Sequence, residues 1–356
     1  MPQQSEAPMR IAFLVNDPDT EFPTAATTVM VHAAARRGHT VYLIGIGDLT
    51  YYSDGHLRAV SRKVPSGKEM SQADFLKSMQ GREAERTEVT SADLDVLYLR
   101  YNPAEEEGSR RWEYDAGIVF GQMAVLQGVI VLSHPYTLAY AVNKMYLEQF
   151  PQAIRPKTII TREYEEILRF YEEQKGKIVL KPLLGYGGKD VYLLKKDTTN
   201  LKQIVESISR SSYVIAQEYL PAAKDGDIRL FLFNGKPLVV EGKYAALRRV
   251  NATGDFRSNL SAGGKPHKAE ITDEILEIAE IVRPRLLADG IFDVGIDIVG
   301  DKLVEINAIS SGGLNAAGEL EGVDFGSEVL RLIERKVAHR RRYGHQLRNR
   351  ALAVMD

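Results

Sequence analysis

Near the N-terminus, short apolar runs alternate with helical stretches, and this alternation restricts the fold more than any other feature. Ile11-Ala12-Phe13-Leu14-Val15 is a run of strand length ended by Asn16-Asp17-Pro18. A helical stretch from about Thr24 to Arg37 follows and stops at Gly38, a residue suited to the left-handed position beyond a helix end. Val41-Tyr42-Leu43-Ile44, Asp95-Val96-Leu97-Tyr98-Leu99 and Val129-Ile130-Val131-Leu132 repeat the strand pattern, with a helix near Tyr114–Gln127 before the last of them. Apolar strands separated by helices belong in a parallel sheet covered on both faces. The polar stretch between Tyr52 and Glu88 reads as loop with a short helix.

The pattern changes after a boundary near His134–Pro135. Ile178-Val179-Leu180-Lys181 and Val191-Tyr192-Leu193-Leu194 flank a glycine turn, which predicts a hairpin. A helix over about Asn200–Ser209 leads into a strand at Tyr213–Gln217. Ile228–Phe233 and Leu238–Glu241 flank Asn234-Gly235, a strong hairpin dipeptide. A helix over Asp273–Leu287 precedes Asp293–Val299, a turn at Gly300-Asp301 and Leu303–Ile306, and a last helix spans about Phe325–His339. The predicted units are 1–133, 134–210 and 211–340, followed by a basic tail, 341–356. Arg335 to Arg350 holds seven Lys or Arg and no acid, which reads as a solvated helix end favoured by the helix dipole.

Composition excludes several classes of function. A chain of 356 residues exceeds the size at which single cores stop growing. With 46 Lys or Arg against 48 Asp or Glu, nothing forecasts a nucleic-acid or membrane partner. No apolar run approaches the roughly 18 residues of a membrane helix. The chain has no cysteine, which removes disulfides, thiolate metal sites and Cys nucleophiles and suits a cytoplasmic setting. There is no GxxxxGK[ST], GxGxxG, HExxH or GxSxG, and the seven histidines are scattered.

The strongest constellation is Gly295 to Asn307. It reads as a hairpin in which Glu305 and Asn307, two apart on one strand, project to the same face, with Asp297 on the partner strand. Two carboxylates and an amide oxygen suit a hard cation such as Mg²⁺, held together with nucleotide phosphates. Lys181-Pro182 followed by Gly185-Tyr186-Gly187-Gly188 can bring backbone close to a phosphate with a cation nearby, and Lys144 adds a second cation upstream. Glu218-Tyr219-Leu220-Pro221, where a strand breaks at proline, can offer backbone groups to an adenine edge. Arg229, Arg249 and Arg257, with Asp227, can converge on a polyanion or carboxylate.

Taken in order, these pieces resemble the ATP-grasp superfamily, and within it the bacterial glutathione synthetases. The likeness runs from about Arg10 to Arg335 and includes Arg36-Arg37-Gly38-His39, Gly47-Asp48-Leu49, Ala92-Asp93-Leu94-Asp95-Val96 and Tyr219 to Asp227. The resemblance implies an α/β ATP-grasp fold: an N-terminal Rossmann-like domain, a small central lid and a C-terminal mixed-sheet domain. It implies that Lys144, Lys181 and Gly185–Gly188 meet the phosphates of ATP, that Glu218, Tyr219 and Leu220 frame the adenine, and that Asp227 assists near ribose or metal. Asp297, Glu305 and Asn307 would hold two Mg²⁺ ions, with Mn²⁺ a substitute. Arg229, Arg249 and Arg257 would sit near the acyl phosphate, Arg257 stabilising the oxyanion. Asp17, Arg100, Asn259, Ser311, Gly312 and Gly313 are candidates for the substrates, the run after Asn307 lying near the acceptor amine. The implied reaction joins γ-glutamylcysteine and glycine with ATP, in a homotetramer or dimer. Gly254 to Asn259 is similar to the ribosomal-protein glutamate ligases. Another carboxylate–amine pair, or a nucleotide-binding module without turnover, therefore stays open.

Overall fold

The computed structural model describes residues 7–66, 68–102, 112–185, 187–251, 258 and 263–356. The N-terminal unit is a six-stranded sheet. Its strands are β1 (Arg10–Val15), β2 (Thr40–Tyr51), β3 (Leu57–Lys63), β4 (Arg86–Thr90), β5 (Val96–Leu99) and β6 (Ile130–Leu132), in the order β4-β3-β2-β1-β5-β6. Helices α1 (Ala26–Arg36), α2 (Gln72–Lys77) and α3 (Glu113–Leu126) connect them, and α4 (Pro135–Ala141) leaves the sheet. Strands β1, β2, β5 and β6 run parallel, as the apolar runs require.

The stretch from Tyr52 to Glu88 holds the expected short helix but is more than loop. It carries β3, α2 and β4, both strands antiparallel to their neighbours. Arg58, Arg62 and Lys63 in β3, and Arg86 and Glu88 in β4, interrupt any apolar run. β4 is the edge strand and β3 lies between it and β2; antiparallel strands with one solvated face mix polar with apolar residues, so a continuous apolar run does not mark them.

The lid is a four-stranded antiparallel sheet ordered β7-β10-β8-β9, from β7 (Thr158–Thr161), β8 (Ile178–Pro182), β9 (Tyr192–Leu194) and β10 (Val214–Glu218). Helices α5 (Tyr164–Glu173) and α6 (Leu201–Ser209) cover it. β10 lies between β7 and β8, so the lid sheet extends past residue 210, where the sequence reading began the next unit.

The C-terminal unit is built on β11 (Asp227–Phe233), β12 (Lys236–Pro237), β13 (Val239–Val240), β14 (Lys243–Tyr244), β15 (Ala246–Val250), β16 (Lys265–His267), β17 (Asp293–Val299) and β18 (Lys302–Asn307). Its main sheet runs β16-β15-β11-β17-β18. Asn234 and Gly235 both take positive φ, 50° and 70°, which gives the tight turn from β11 into β12. Helices α7 (Asp273–Asp289), α8 (Leu314–Glu321), α9 (Phe325–Tyr343) and α10 (Asn349–Leu352) complete the chain.

Two large apolar cores each draw on both the N-terminal and the C-terminal sheets. One joins Leu14, Leu97 and Val131 to Leu230, Ile296 and Ile306. The other joins Phe13 and Tyr98 to Phe231, Phe292 and Val329. Arg335, Arg341, Arg342, Arg348 and Arg350 are exposed and Arg340–Arg342 form the last turn of α9, as expected of a solvated helix end, but Lys336 is buried and the chain beyond the helix docks. The Asn349 amide donates to Val131 O (2.9 Å) and accepts from Val131 N (2.9 Å), closing the outer edge of β6, while Leu352 and Ala353 are fully buried. Among the described residues no helix is long and apolar enough to cross a membrane.

Candidate active site

A cavity of about 810 Å³ opens where the three units meet. Its walls include Asn16, Arg100 and Asn102 from the N-terminal unit, Lys181 and Gln217 from the lid, and Glu305 from the C-terminal sheet.

β17 and β18 pair antiparallel, with Asp297 opposite Glu305 and Gly295 opposite Asn307, so the expected hairpin forms and brings the three oxygen-bearing side chains together. Their surroundings differ. Asp297 is 1% exposed and both its oxygens are taken. Arg229 donates from Nε to Oδ1 (2.7 Å) and from Nη2 to Oδ2 (2.8 Å), and Arg249 Nη2 lies 2.7 Å from Oδ2. Burial opposes charge on Asp297, but the two guanidinium groups hold its carboxyl down at about 2. Asp227 is pushed up by burial and by the Asp297 charge, while it accepts from Arg249 Nε (3.0 Å) and from Ser258 Oγ. Two arginines and two aspartates thus form a largely buried network in the cavity wall. Asp227 pairs there with Arg249, and Asp297 with both Arg229 and Arg249, and all four side chains line the cavity where the sequence reading places ribose and metal.

Glu305 and Asn307 remain at the cavity wall. Glu305 Oε1 is 3.7 Å from Lys144 Nζ, and Asn307 Nδ2 donates to Asp297 Oδ2 (3.3 Å), leaving its amide oxygen as a donor atom for a cation. Among the described residues no group of three His, Cys, Asp or Glu is clustered as a metal site. One carboxylate and one amide oxygen nevertheless fit Mg²⁺, which takes few protein ligands and completes its shell with water and phosphate oxygens.

Lys181 on β8 donates to Gln217 Oε1 (3.2 Å) and reaches Val304 O on β18 (3.4 Å), bridging lid and C-terminal sheet. Burial pulls it down to about 8, against the pull of Glu305. Lys144 Nζ donates to Gly185 O (2.6 Å), tying this cation to the glycine turn. Gly187 and Gly188 have φ of 64° and 77°, a conformation that glycine adopts without Cβ strain. Glu218 spends its carboxylate on Lys157 N (2.7 Å), and Lys177 Nζ sits 3.7 Å from the Tyr219 ring centre, with Leu220 following at the cavity wall. Tyr186, Arg257 and Asn259 lie outside the described residues.

The substrate candidates separate. Asp17 caps the turn after β1 by accepting from Asp19 N (2.9 Å), and its neighbour Asn16 faces the cavity instead. Ser311 Oγ accepts from Gly295 N (2.7 Å) and donates to Asn307 O (2.7 Å), a bridge that ties the loop to β17 and β18 at the cavity wall. Gly312 O accepts from Arg229 Nη1 (3.2 Å), and Gly313 starts α8 at φ 104°. The Arg100 guanidinium is committed to Asp293 Oδ2 (2.7 Å), Ser311 O (3.2 Å) and Thr27 Oγ1 (3.3 Å). Sequence reasoning missed Gln217, Asn16, Asn102 and Asp293. Gln217 was detectable as the polar residue inside an apolar strand; for the others only the tertiary fold supplies the signal.

Comparisons with known proteins agree with this geometry. In fold, the chain superposes on a D-cycloserine synthetase with a TM-score of 0.61 at 13% identity, covering 92% of this chain and 99% of that one. The glutathione synthetase of Synechococcus elongatus is 31% identical over 332 residues, 92% of this chain and 98% of that protein. That of Thermosynechococcus vestitus is 39% identical over 206 residues, 57% of this chain and 62% of that protein. Residues 9–137 match the prokaryotic glutathione synthetase N-terminal domain and residues 143–322 its ATP-grasp domain. The chain belongs to the prokaryotic glutathione synthetase family. It is accordingly an ATP-dependent carboxylate–amine ligase acting on small molecules, and the ATP-grasp domain implies ATP as a substrate and Mg²⁺ dependence.

Proposed function

We propose that this cavity joins the cysteinyl carboxylate of γ-glutamylcysteine to the amino group of glycine, with ATP cleaved to ADP and phosphate. One observation carries the reading: a single cavity sets two lysines, Lys144 and Lys181, opposite the oxygen donors Glu305 and Asn307, with walls from all three units. A carboxylate is a poor acyl donor, so its oxygen first attacks the γ-phosphorus and the β–γ bridging bond breaks, releasing ADP. The neutral amine then attacks the acyl carbon. The phosphate leaves with the former carboxylate oxygen, and the amine proton passes to phosphate or water.

Lys144 and Lys181 neutralise the phosphates, and the turn of Gly185, Tyr186, Gly187 and Gly188 closes over them. Glu218, Tyr219 and Leu220 frame the adenine. Asp297, Glu305 and Asn307 would hold Mg²⁺, which would supply charge neutralisation on the transferred phosphoryl group, as two ions with Mn²⁺ able to replace them. Asp297 and Asp227 orient Arg229 and Arg249 toward the acyl phosphate, and Arg257 stabilises the tetrahedral oxyanion. Such preorganised charges do most of the catalytic work in phosphoryl transfer. The lid shields the acyl phosphate from water.

Phosphate release with ATP and Mg²⁺ tests this reading, with γ-glutamylcysteine and glycine offered singly and together. Release that needs both, with a product of glutathione's mass, is the expected result. No release above the single-substrate blanks would reject the assigned pair.

A further inference from the structure

Arg100 lies just past the C-terminal end of β5, yet its side chain leaves the N-terminal unit. Nη1 donates to Asp293 Oδ2 at the start of β17 (2.7 Å), Nη2 donates to Ser311 O (3.2 Å), and Nε donates to Thr27 Oγ1 on α1 (3.3 Å). The pair is enclosed, with the two side chains 2% and 6% exposed. The backbone takes part as well, since Ser310 Oγ donates to Arg100 O (2.7 Å). One arginine therefore grips two successive residues of the loop 308–313, one through its carbonyl and the next through its guanidinium. From the other side the same loop is held by Arg229 on Gly312 O and by Ser311 Oγ between Gly295 N and Asn307 O.

That loop needs holding. Ser310 has φ of 50°, a left-handed conformation costly for a residue with a Cβ, and Gly313 has φ of 104°. Such conformations persist where the surroundings over-determine them. A buried ion pair contributes little net stability compared with apolar residues of similar volume, because desolvation offsets the attraction. Stability alone is thus a weak reason for Arg100 and Asp293 to be here.

We propose that Arg100, locked by Asp293, is a positioning residue that fixes the 308–313 loop beside Asn307 and Arg229, where the acceptor amine must meet the acyl phosphate. The proposal rests on the ligase reading above. The N-terminal unit thereby takes part in the second chemical step without its arginine touching substrate. Misplacing a loop by about 1 Å is enough to cost on the order of 10²-fold in rate.

The decisive variant is Arg100→Met with Asp293→Leu, which removes both charges together and so leaves no unpaired ion to unfold the protein. In this double variant kcat/KM for glycine falls by about 10- to 100-fold while KM for ATP stays within about twofold. Amide hydrogen exchange over 308–313 becomes faster, with exchange in β1 and β11 unchanged. Arg100→Lys, which keeps the charge but loses the fork to Ser311 O, falls between the double variant and the parent. Parental kcat/KM for glycine together with parental loop exchange would overturn the proposal. So would equal losses toward ATP and glycine accompanied by a lowered Tm, the mark of a purely structural pair. The exchange measurement needs no turnover. If the parent protein makes no glutathione, the ligase reading fails while loop exchange still decides the positioning claim.

Discussion

The lid draws its buried core, including Ile167, Phe170, Ile178, Leu180 and Val214, from residues 167–216 alone. The N-terminal and C-terminal units, by contrast, share both of their large cores, with Phe13 and Tyr98 in the same cluster as Phe231 and Phe292. The buried pair Arg100–Asp293 and the tail amide of Asn349 add polar ties within that shared body. Across the cavity, the lid meets the body through single polar contacts such as Lys181 to Val304 O and Lys144 to Gly185 O. A lid with its own core can tilt without opening the body's cores. A body with a shared core holds Glu305, Asn307 and the 308–313 loop in fixed relation. On the proposed reading, core ownership divides the labour: the lid carries Lys181 and the glycine turn, and the shared body carries Glu305, Asn307 and the arginine network.

The largest expected effect belongs to the fixed part. Glu305→Gln removes a carboxylate of the proposed cation site and should lower kcat by about 10³-fold or more, with an unchanged melting curve because the apolar face of β18 is untouched. Unchanged kcat would remove Glu305 from the metal site and take with it the division drawn here.

Leu180→Ala addresses the lid directly. Leu180 is fully buried in the lid core, and truncation should cost about 2–5 kcal/mol there. Exchange protection should fall over 158–218 and persist in β1, β11 and β17. Equal loss of protection throughout the chain would mean that lid and body melt as one, against their separate cores.

The smallest effect is a pH limb. Lys181 is held down at about 8 by burial, so it is cationic below that pH and neutral above it. ATP is a polyanion and favours the protonated lysine, so kcat/KM for ATP should be level below about pH 8 and fall as pH rises through it. Lys181→Arg, permanently charged, should erase that fall; a variant that keeps it would assign the limb to another group.

Much of this architecture was legible in the sequence. The parallel strands β1, β2, β5 and β6, the hairpin β17–β18 and the Asn234-Gly235 turn stood out because buried strands and tight turns dictate residue type. β3 and β4 were hidden because their charged residues satisfy solvent as well as a loop would. In the site, Lys144, Lys181, Asp297, Glu305 and Asn307 were singled out from the sequence, and the structure gathers them at one cavity. The partnerships inside the cluster were not legible. Asp297 and Asp227 stood out as acids, but their pairing with Arg229 and Arg249 on neighbouring antiparallel strands did not. Asp293 looked like the first residue of an apolar strand, and only the packing of two units reveals its partner Arg100. Charges that pair across units leave no periodic trace in a single sequence.

The route of the oxygen atom tests the central claim most directly. γ-Glutamylcysteine labelled with ¹⁸O in its cysteinyl carboxylate should be ligated to glycine, and the inorganic phosphate examined by mass spectrometry. Attack of the carboxylate on the γ-phosphorus predicts one ¹⁸O transferred to each phosphate released during glutathione formation. Glutathione formed with unlabelled phosphate would contradict an acyl-phosphate route through this cavity.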